Sequence, residues 1–239
     1  MGACLDSQLT GIQRQALEAF FRHETRFFLS GGAALAGFHL AHRTTHDLDL
    51  FTEVSALDDG ERALLLVAEE LGATLEKIQT SPDFRRRILR RGEEAVVIDL
   101  VHDRAPQGPL PKQSFGNIRV DPPLEILANK LCALLSRSEL RDLIDVYALE
   151  QAGFRIEDAL PIAEMKDAGM TPAQLAWVLS QIDLSSLPEG RIILVQGSGP
   201  PPREPISDDA LGGIPTRRRL LAYLAALTKR LVGRAMPTR

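Results

Sequence analysis

The run Phe27-Phe28-Leu29 is apolar throughout and stops at Ser30-Gly31-Gly32. The Ala- and Leu-rich stretch 33–41 follows, and then Asp47-Leu48-Asp49-Leu50 alternates polar with apolar. Ala and Leu favour helix, and strict alternation marks a half-buried strand, so the order reads as strand, glycine turn, helix, strand. Upstream, Leu9, Ile12, Ala16 and Phe20 recur at helical spacing, which predicts a helix over 8–23 packed on the sheet. Downstream, Ala63, Leu64, Val67, Ala68 and Leu71 carry another helix, with Asp58 or Asp59 as its cap and Gly72 as its stop. Residues 73–79 read as a strand. Residues 84–91 and 95–101, joined at Gly92-Glu93-Glu94, read as a hairpin whose second arm is β-branched at 96–98.

Residues 103–115, with Pro106, Pro109 and Pro111, read as loop, and 118–120 as a short strand. Asp121-Pro122-Pro123 then opens a helix, because proline suits the first helical turn. Leu124, Leu127, Ala128, Leu131 and Leu135 form its apolar face. Further helices are expected over 139–151, with Ser138 as cap, and over 156–168 and 171–182. In the amphipathic segment 216–231, Leu220, Leu224, Leu227 and Leu231 share a face. Gly197-Ser198-Gly199-Pro200-Pro201-Pro202 and Gly212-Gly213 mark a linker, with a single strand at 191–195 inside it. The expected organisation is a core over 1–121, a helical domain over 122–182, a linker over 183–216 and a basic C-terminal helix over 217–239.

Chemistry enters with the acids. In a strand, residues i and i+2 share a face, so Asp47 and Asp49 project together while Leu48 and Leu50 enter the core. Two adjacent carboxylates repel unless a cation lies between them, and hard oxygen ligands suit Mg²⁺, which keeps waters and substrate phosphates as its other ligands. Paired glycines let backbone approach a ligand closely, and the N–H groups at the helix start are free to hold phosphate. Gly32 offers no hydroxyl, so a phosphate contact there is backbone or comes from Ser30. Asp99 interrupts the apolar strand 95–101; a buried acid is costly unless paired or metal-bound, which makes Asp99 the third carboxylate. The pattern points to phosphoryl or nucleotidyl transfer.

Composition narrows the setting. The chain has 239 residues, 44% hydrophobic and 25% charged, with a net charge of −4, so any nucleic-acid contact is local. Cys4 and Cys132 lack metal-ligand spacing and fit reduced thiols of a cytoplasmic protein, with Cys132 in the core of its helix. The N-terminus has neither the basic start nor the apolar run of a signal peptide, and no stretch approaches the ~18 apolar residues of a membrane span. His39, His42 and His46 invite a zinc reading, but no fourth ligand is evident. Arg85, Arg86, Arg87, Arg90 and Arg91 form a basic patch, read either as a solvated hairpin or as a contact for nucleic-acid phosphates. The same two readings apply to the basic tail from Arg217 onward. No P-loop, Gly-x-Ser-x-Gly or His-Glu-x-x-His motif occurs.

The arrangement Gly31-Gly32, fourteen residues, Asp47-x-Asp49 resembles the first motif of the nucleotidyltransferase superfamily. Its inner detail is Gly-Gly-x-Ala-Leu followed by His42-Arg43-x-Thr45-x-Asp47-Leu48-Asp49-Leu50-Phe51. Together with Asn129-Lys130-Leu131 and Arg141-Asp142-Leu143-x-Asp145, it is similar to the AbiEii/AbiGii toxin family of nucleotidyltransferases. The resemblance extends to roughly residue 150. It implies an α+β, nucleotidyltransferase-fold mixed sheet with flanking helices plus a helical C-terminal part. It also implies transfer of an NMP from an NTP to an acceptor hydroxyl with Mg²⁺ at Asp47, Asp49 and Asp99. Arg43 and Lys130 would lie near the nucleotide, with Asp142 orienting one of them and Asp145 either in the site or in a salt bridge. The family further suggests a toxin of toxin–antitoxin or phage-defence loci, acting on RNA (tRNA 3′ ends) or protein, with a cognate antitoxin protein. Alternatives from other classes are a small-molecule, aminoglycoside-like nucleotidyltransferase, a glycosyltransferase and a degenerate nucleotide-binding module.

Overall fold

The computed structural model describes residues 8–185 and 215–235. Cys4 and nearly all of the expected linker, including 191–195, lie outside these residues. The chain divides into two compact units, Met1–Ile126 and Leu127–Arg239, and the division falls within one helix.

The first unit is built on a seven-stranded mixed sheet. Its strands are β1 (Phe28–Ser30), β2 (Asp47–Thr52), β3 (Thr74–Ser81), β4 (Phe84–Arg91), β5 (Glu94–His102), β6 (Gln113–Phe115) and β7 (Ile118–Val120), in the order β3-β4-β5-β2-β1-β7-β6. β2 runs antiparallel to β1 and parallel to β5, and β1 runs parallel to β7. Along β2 the alternation behaves as expected: Leu48, Leu50 and Thr52 are buried, whereas Asp47, Asp49 and Phe51 are half-buried. Leu48, Leu50 and Leu100 face the core with helices α1 (Gly11–His23) and α3 (Leu57–Leu71). Packing there is close. A Cβ on Gly60 of α3 would stand 2.7 Å from the Phe27 ring and 3.1 Å from Leu100. Phe20 sets its ring edge-on to both Phe21 and Phe27, a favoured aromatic geometry.

Several boundaries move for local reasons. α1 begins at Gly11 rather than at residue 8, because Thr10 and Gln13 form a reciprocal capping box. The Thr10 hydroxyl accepts from the Gln13 N–H at 3.3 Å, and the Gln13 amide oxygen accepts from the Thr10 N–H at 2.8 Å. The N-cap of α3 is Ala56, so Asp58 and Asp59 act from the first turn, where negative charge complements the helix dipole. The helix after the glycines starts at Gly31 itself. It runs as α2 (Gly31–Ala34), widens into a π-helical turn over Leu35–His39, and ends before residue 41. β6 was expected as loop; it pairs with β7 across Gly116-Asn117.

The second unit comprises the rest of α4 (Pro123–Arg137), with α5 (Leu140–Gln151), α6 (Ile156–Lys166), α7 (Pro172–Ser180) and α8 (Arg217–Ala235). Glu139, not Ser138, is the N-cap of α5, and Thr171 caps α7 by accepting from the Gln174 N–H at 3.1 Å. Cys132 is half-buried rather than core. Leu220, Leu224, Leu227 and Leu231 are buried together on α8. Glu150 ties α8 to α5: it accepts from the Tyr223 hydroxyl at 2.7 Å and pairs with Arg230 at 2.7 Å. Among the described residues no helix is long and apolar enough to cross a membrane.

Candidate active site

Strand register draws one line of polar residues across the sheet. Ser30 faces Asp49, Asp49 faces Asp99, Asp99 faces Arg86, and the line ends at Gln79 on β3. Cross-strand partners share a sheet face. Asp47, two residues before Asp49, joins the same face. The three acids therefore emerge together, opposite the Leu48, Leu50 and Leu100 core. Thr45 donates its hydroxyl to Asp47 Oδ1 at 2.9 Å, fixing that carboxylate.

Each glycine makes room for one functional group. Gly31 has φ +64°, and a Cβ there would lie 2.5 Å from Asp49 Oδ2. A Cβ on Gly32 would lie 2.6 Å from Arg43 Nη2 and 3.3 Å from Thr45 Oγ1. The turn thus brings bare backbone against a carboxylate on one side and a guanidinium on the other. Arg43 Nη1 also donates to the Thr44 carbonyl at 3.0 Å. Gly31→Ala is expected to cost about 1–2 kcal/mol, because the left-handed backbone penalises a Cβ. It is also expected to lower kcat by roughly 10²-fold, because a reacting group displaced by about 1 Å loses its alignment. Thermal melting and initial-rate measurements on the purified variant check both.

Asp99 occupies the expected third position, but Arg86 holds both of its oxygens. Nε meets Oδ1 at 2.8 Å and Nη2 meets Oδ2 at 2.6 Å. The side chain of Asp99 is 5% exposed and that of Arg86 41%. The bond to Asp99, and after it the charges of Asp47 and Asp49, hold the Arg86 guanidinium above its ordinary pKa. Among the described residues no cluster of three or more His, Cys, Asp or Glu side chains is arranged to hold a metal ion. Asp47 and Asp49 remain a two-carboxylate, hard-oxygen donor set that fits a divalent cation such as Mg²⁺; the third member is already ion-paired.

Ser30 differs from its expectation. It is buried, and its hydroxyl bonds the Asp121 carboxylate rather than facing a ligand. Lys112 completes this cluster, with Nζ 2.6 Å from Asp121 Oδ1, 2.7 Å from Gln107 Oε1 and 3.8 Å from the centroid of the Phe28 ring. Burial pushes the Asp121 carboxyl up, against the pull of Lys112. His39 Nε2 bonds the Asp121 carbonyl at 2.8 Å, and burial lowers its pKa. Lys112 carried no sequence signal, since it lies in an aperiodic, proline-punctuated loop.

The arginine patch is answered by carboxylates inside the first unit. Alternation turns Arg85 and Arg87 toward Glu61 on α3, at 3.7 Å and 2.7 Å, and Arg87 is 1% exposed. Arg90 pairs with Glu76 and Arg91 with Glu94. With Arg86 on Asp99, each of the five has a carboxylate partner; Arg85 and Arg87 are turned inward, while Arg86, Arg90 and Arg91 keep part of their side chains exposed.

In the second unit, Lys130 Nζ lies between Asp142 Oδ1 at 2.8 Å and Asp145 Oδ2 at 2.7 Å. Arg137 Nε adds a bond to Asp142 Oδ2 at 2.8 Å. Both aspartates are fully buried. Burial alone would raise the Asp142 pKa, but Lys130 and Arg137 hold it below the ordinary carboxylate value. A depressed folded-state pKa means that the unfolded chain binds more protons in the acid range. The stability from Asp142 is therefore fully present above the ordinary carboxylate pKa and is lost as pH falls below it, through the depressed folded-state value. The melting temperature should fall less with acid in Asp142→Asn than in the wild type, measured by thermal melts taken from neutrality down through the carboxylate range.

The profile of the family described as the nucleotidyl transferase AbiEii toxin, type IV toxin–antitoxin system, matches residues 15–208. Among solved structures, the chain resembles a candidate nucleotidyltransferase from H. pylori with a TM-score of 0.51 at 17% identity, covering 92% of this chain and 91% of that one. It also resembles JHP933 from Helicobacter pylori, with a TM-score of 0.50 at 19% identity, covering 92% and 88%. At these identities the likenesses establish the nucleotidyltransferase fold. No curated protein matches the chain.

Proposed function

The chain belongs to the AbiEii family of nucleotidyltransferase toxins, and from that premise we propose that it moves an NMP from an NTP to a hydroxyl of RNA, such as tRNA, or of protein, using Mg²⁺ held at Asp47 and Asp49. The observation that carries this reading is the meeting of Asp49 with Gly31: the carboxylate stands 2.5 Å from where a Cβ would be, so backbone and acid address the same small volume. Such a corner suits a triphosphate, because bare backbone can approach phosphate closely and Asp47 and Asp49 would hold a divalent ion that offsets its charge. Arg43, over Gly32, offers a planar guanidinium to phosphate oxygens.

In the reaction the acceptor oxygen attacks the α-phosphorus. An O–P bond forms, the bond from the α-phosphorus to the bridging oxygen breaks, pyrophosphate leaves, and the hydroxyl proton passes to solvent. The divalent ion, when bound, supplies positive charge where negative charge builds on the leaving group. Asp47 is held by the Thr45 hydroxyl, and the missing Cβ of Gly31 leaves room for the Asp49 carboxylate, so the pair needs little reorganisation during transfer. Lys130 and Asp142 belong in this reading to the charged core of the second unit. Family membership also motivates an antitoxin protein as partner.

The test is incubation with each α-labelled NTP, Mg²⁺, and total RNA or total protein, with wild type and Asp49→Ala in parallel. Label on one acceptor class, lost in the variant, is the expected result and names the acceptor. Equal labelling by both proteins would sink the proposed site.

A further inference from the structure

We propose that this site takes one divalent ion rather than two, because the Arg86 guanidinium already holds both oxygens of the third carboxylate, Asp99. The inference rests on the reading of Asp47 and Asp49 as the ion-holding pair. Two-ion sites place their cations about 3.5–4 Å apart, which requires carboxylates facing both. Here the register line supplies three acids and then, on the next strand, a cation of the protein's own. Arg86 binds Asp99 in a two-bond fork, at 2.8 and 2.6 Å, and lies in the field of Asp47 and Asp49 as well. Its guanidinium carbon also sits 5.6 Å from the centroid of the Phe84 ring, on the same strand and face, which backs the fork with a cation–π contact.

Charge decides the count. Arg86 cancels Asp99, its fork partner, which leaves Asp47 and Asp49 at −2, the charge that one Mg²⁺ neutralises, while Arg43 lies over Gly32 on the phosphate side. A second ion would have to strip a bidentate pair from a nearly buried carboxylate and then sit beside the displaced guanidinium. Both steps oppose it, since breaking a buried pair leaves charge uncompensated. Asp99 is accordingly a positioning residue: it holds Arg86 beside the Asp47–Asp49 pair.

The experiment counts ions without any turnover. Mn²⁺ alone, as a probe for Mg²⁺, is titrated into the full chain while free Mn²⁺ is read by electron paramagnetic resonance. Wild type is expected to bind one ion per chain. Arg86→Gln frees Asp99 and is expected to bind a second. The double variant Arg86→Gln, Asp99→Asn restores the charge balance and is expected to return to one ion with wild-type affinity. Two ions on wild type, one ion on Arg86→Gln, or loss of the ion from the double variant would each overturn the proposal. If Arg86→Gln does not fold, wild type and the charge-balanced double variant still decide it. Failure of the underlying reading looks different: no ion on wild type, or one ion that Asp49→Asn leaves untouched.

Discussion

Asp49→Asn is expected to cut nucleotidyl transfer by roughly 10³-fold or more, a loss of about 4 kcal/mol of transition-state stabilisation. Its melting temperature should stay equal to the wild type's or rise. Asp49 is half-buried and shares a sheet face with Asp47 and Asp99, and Asp99 lies directly across the parallel ladder. An amide of the same shape keeps the packing and lowers the density of like charge on this face, while removing an ion ligand. Activity and stability moving in opposite directions is the signature of a residue kept for chemistry. Single-turnover label transfer and thermal melting on the same sample check both halves. An active but unstable Asp49→Asn would mark the acid as structural.

Lys130→Met is expected to do the reverse. It leaves Asp142 and Asp145, both fully buried, without the ammonium that lies 2.8 and 2.7 Å from them. Removing one partner of a buried ion pair costs about 3–5 kcal/mol, because the remaining charge is stranded. Arg137 still reaches Asp142, so Asp145 bears most of the loss. Adding Asp145→Asn to Lys130→Met should recover part of the stability in denaturant titrations. If Lys130→Met instead melts like the wild type and fails only in NTP binding, the lysine belongs to the nucleotide and not to the helical core.

The acid strand and the glycine turn were legible because both signals are local: a two-residue period fixes which way Asp47 and Asp49 point, and Ser30-Gly31-Gly32 ends an apolar run. The leucine face of α8 was legible for the same reason. Arg86 was missed although the hairpin was recognised. A two-residue turn at Gly92-Glu93 pairs Arg91 with Glu94, and counting back along both arms pairs Arg86 with Asp99. That register needs only the turn length, so the ion pair was within reach of the sequence. Alternation by itself puts the five arginines on two faces; only the cross-strand register says that Arg86 meets Asp99, and only the packing of α3 says that Arg85 and Arg87 meet Glu61. The Ser30–Asp121–Lys112 cluster was out of reach. It depends on β7 lying parallel beside β1 and on a loop with no periodicity, and neither leaves a local trace. The exact start of α1 was readable in Thr10-x-x-Gln13, a capping box passed over in favour of the apolar spacing.

The role proposed for the corner formed by Gly31, Asp47 and Asp49 is to direct attack at the α-phosphorus of an NTP. The most direct measurement compares NTP labelled at the α-phosphate with NTP labelled at the γ-phosphate, using one acceptor preparation. The expected result is α-label on the acceptor, γ-label released in pyrophosphate, and neither outcome with Asp49→Asn. The γ-label appearing on the acceptor, or α-label transferred equally well by Asp49→Asn, would contradict it.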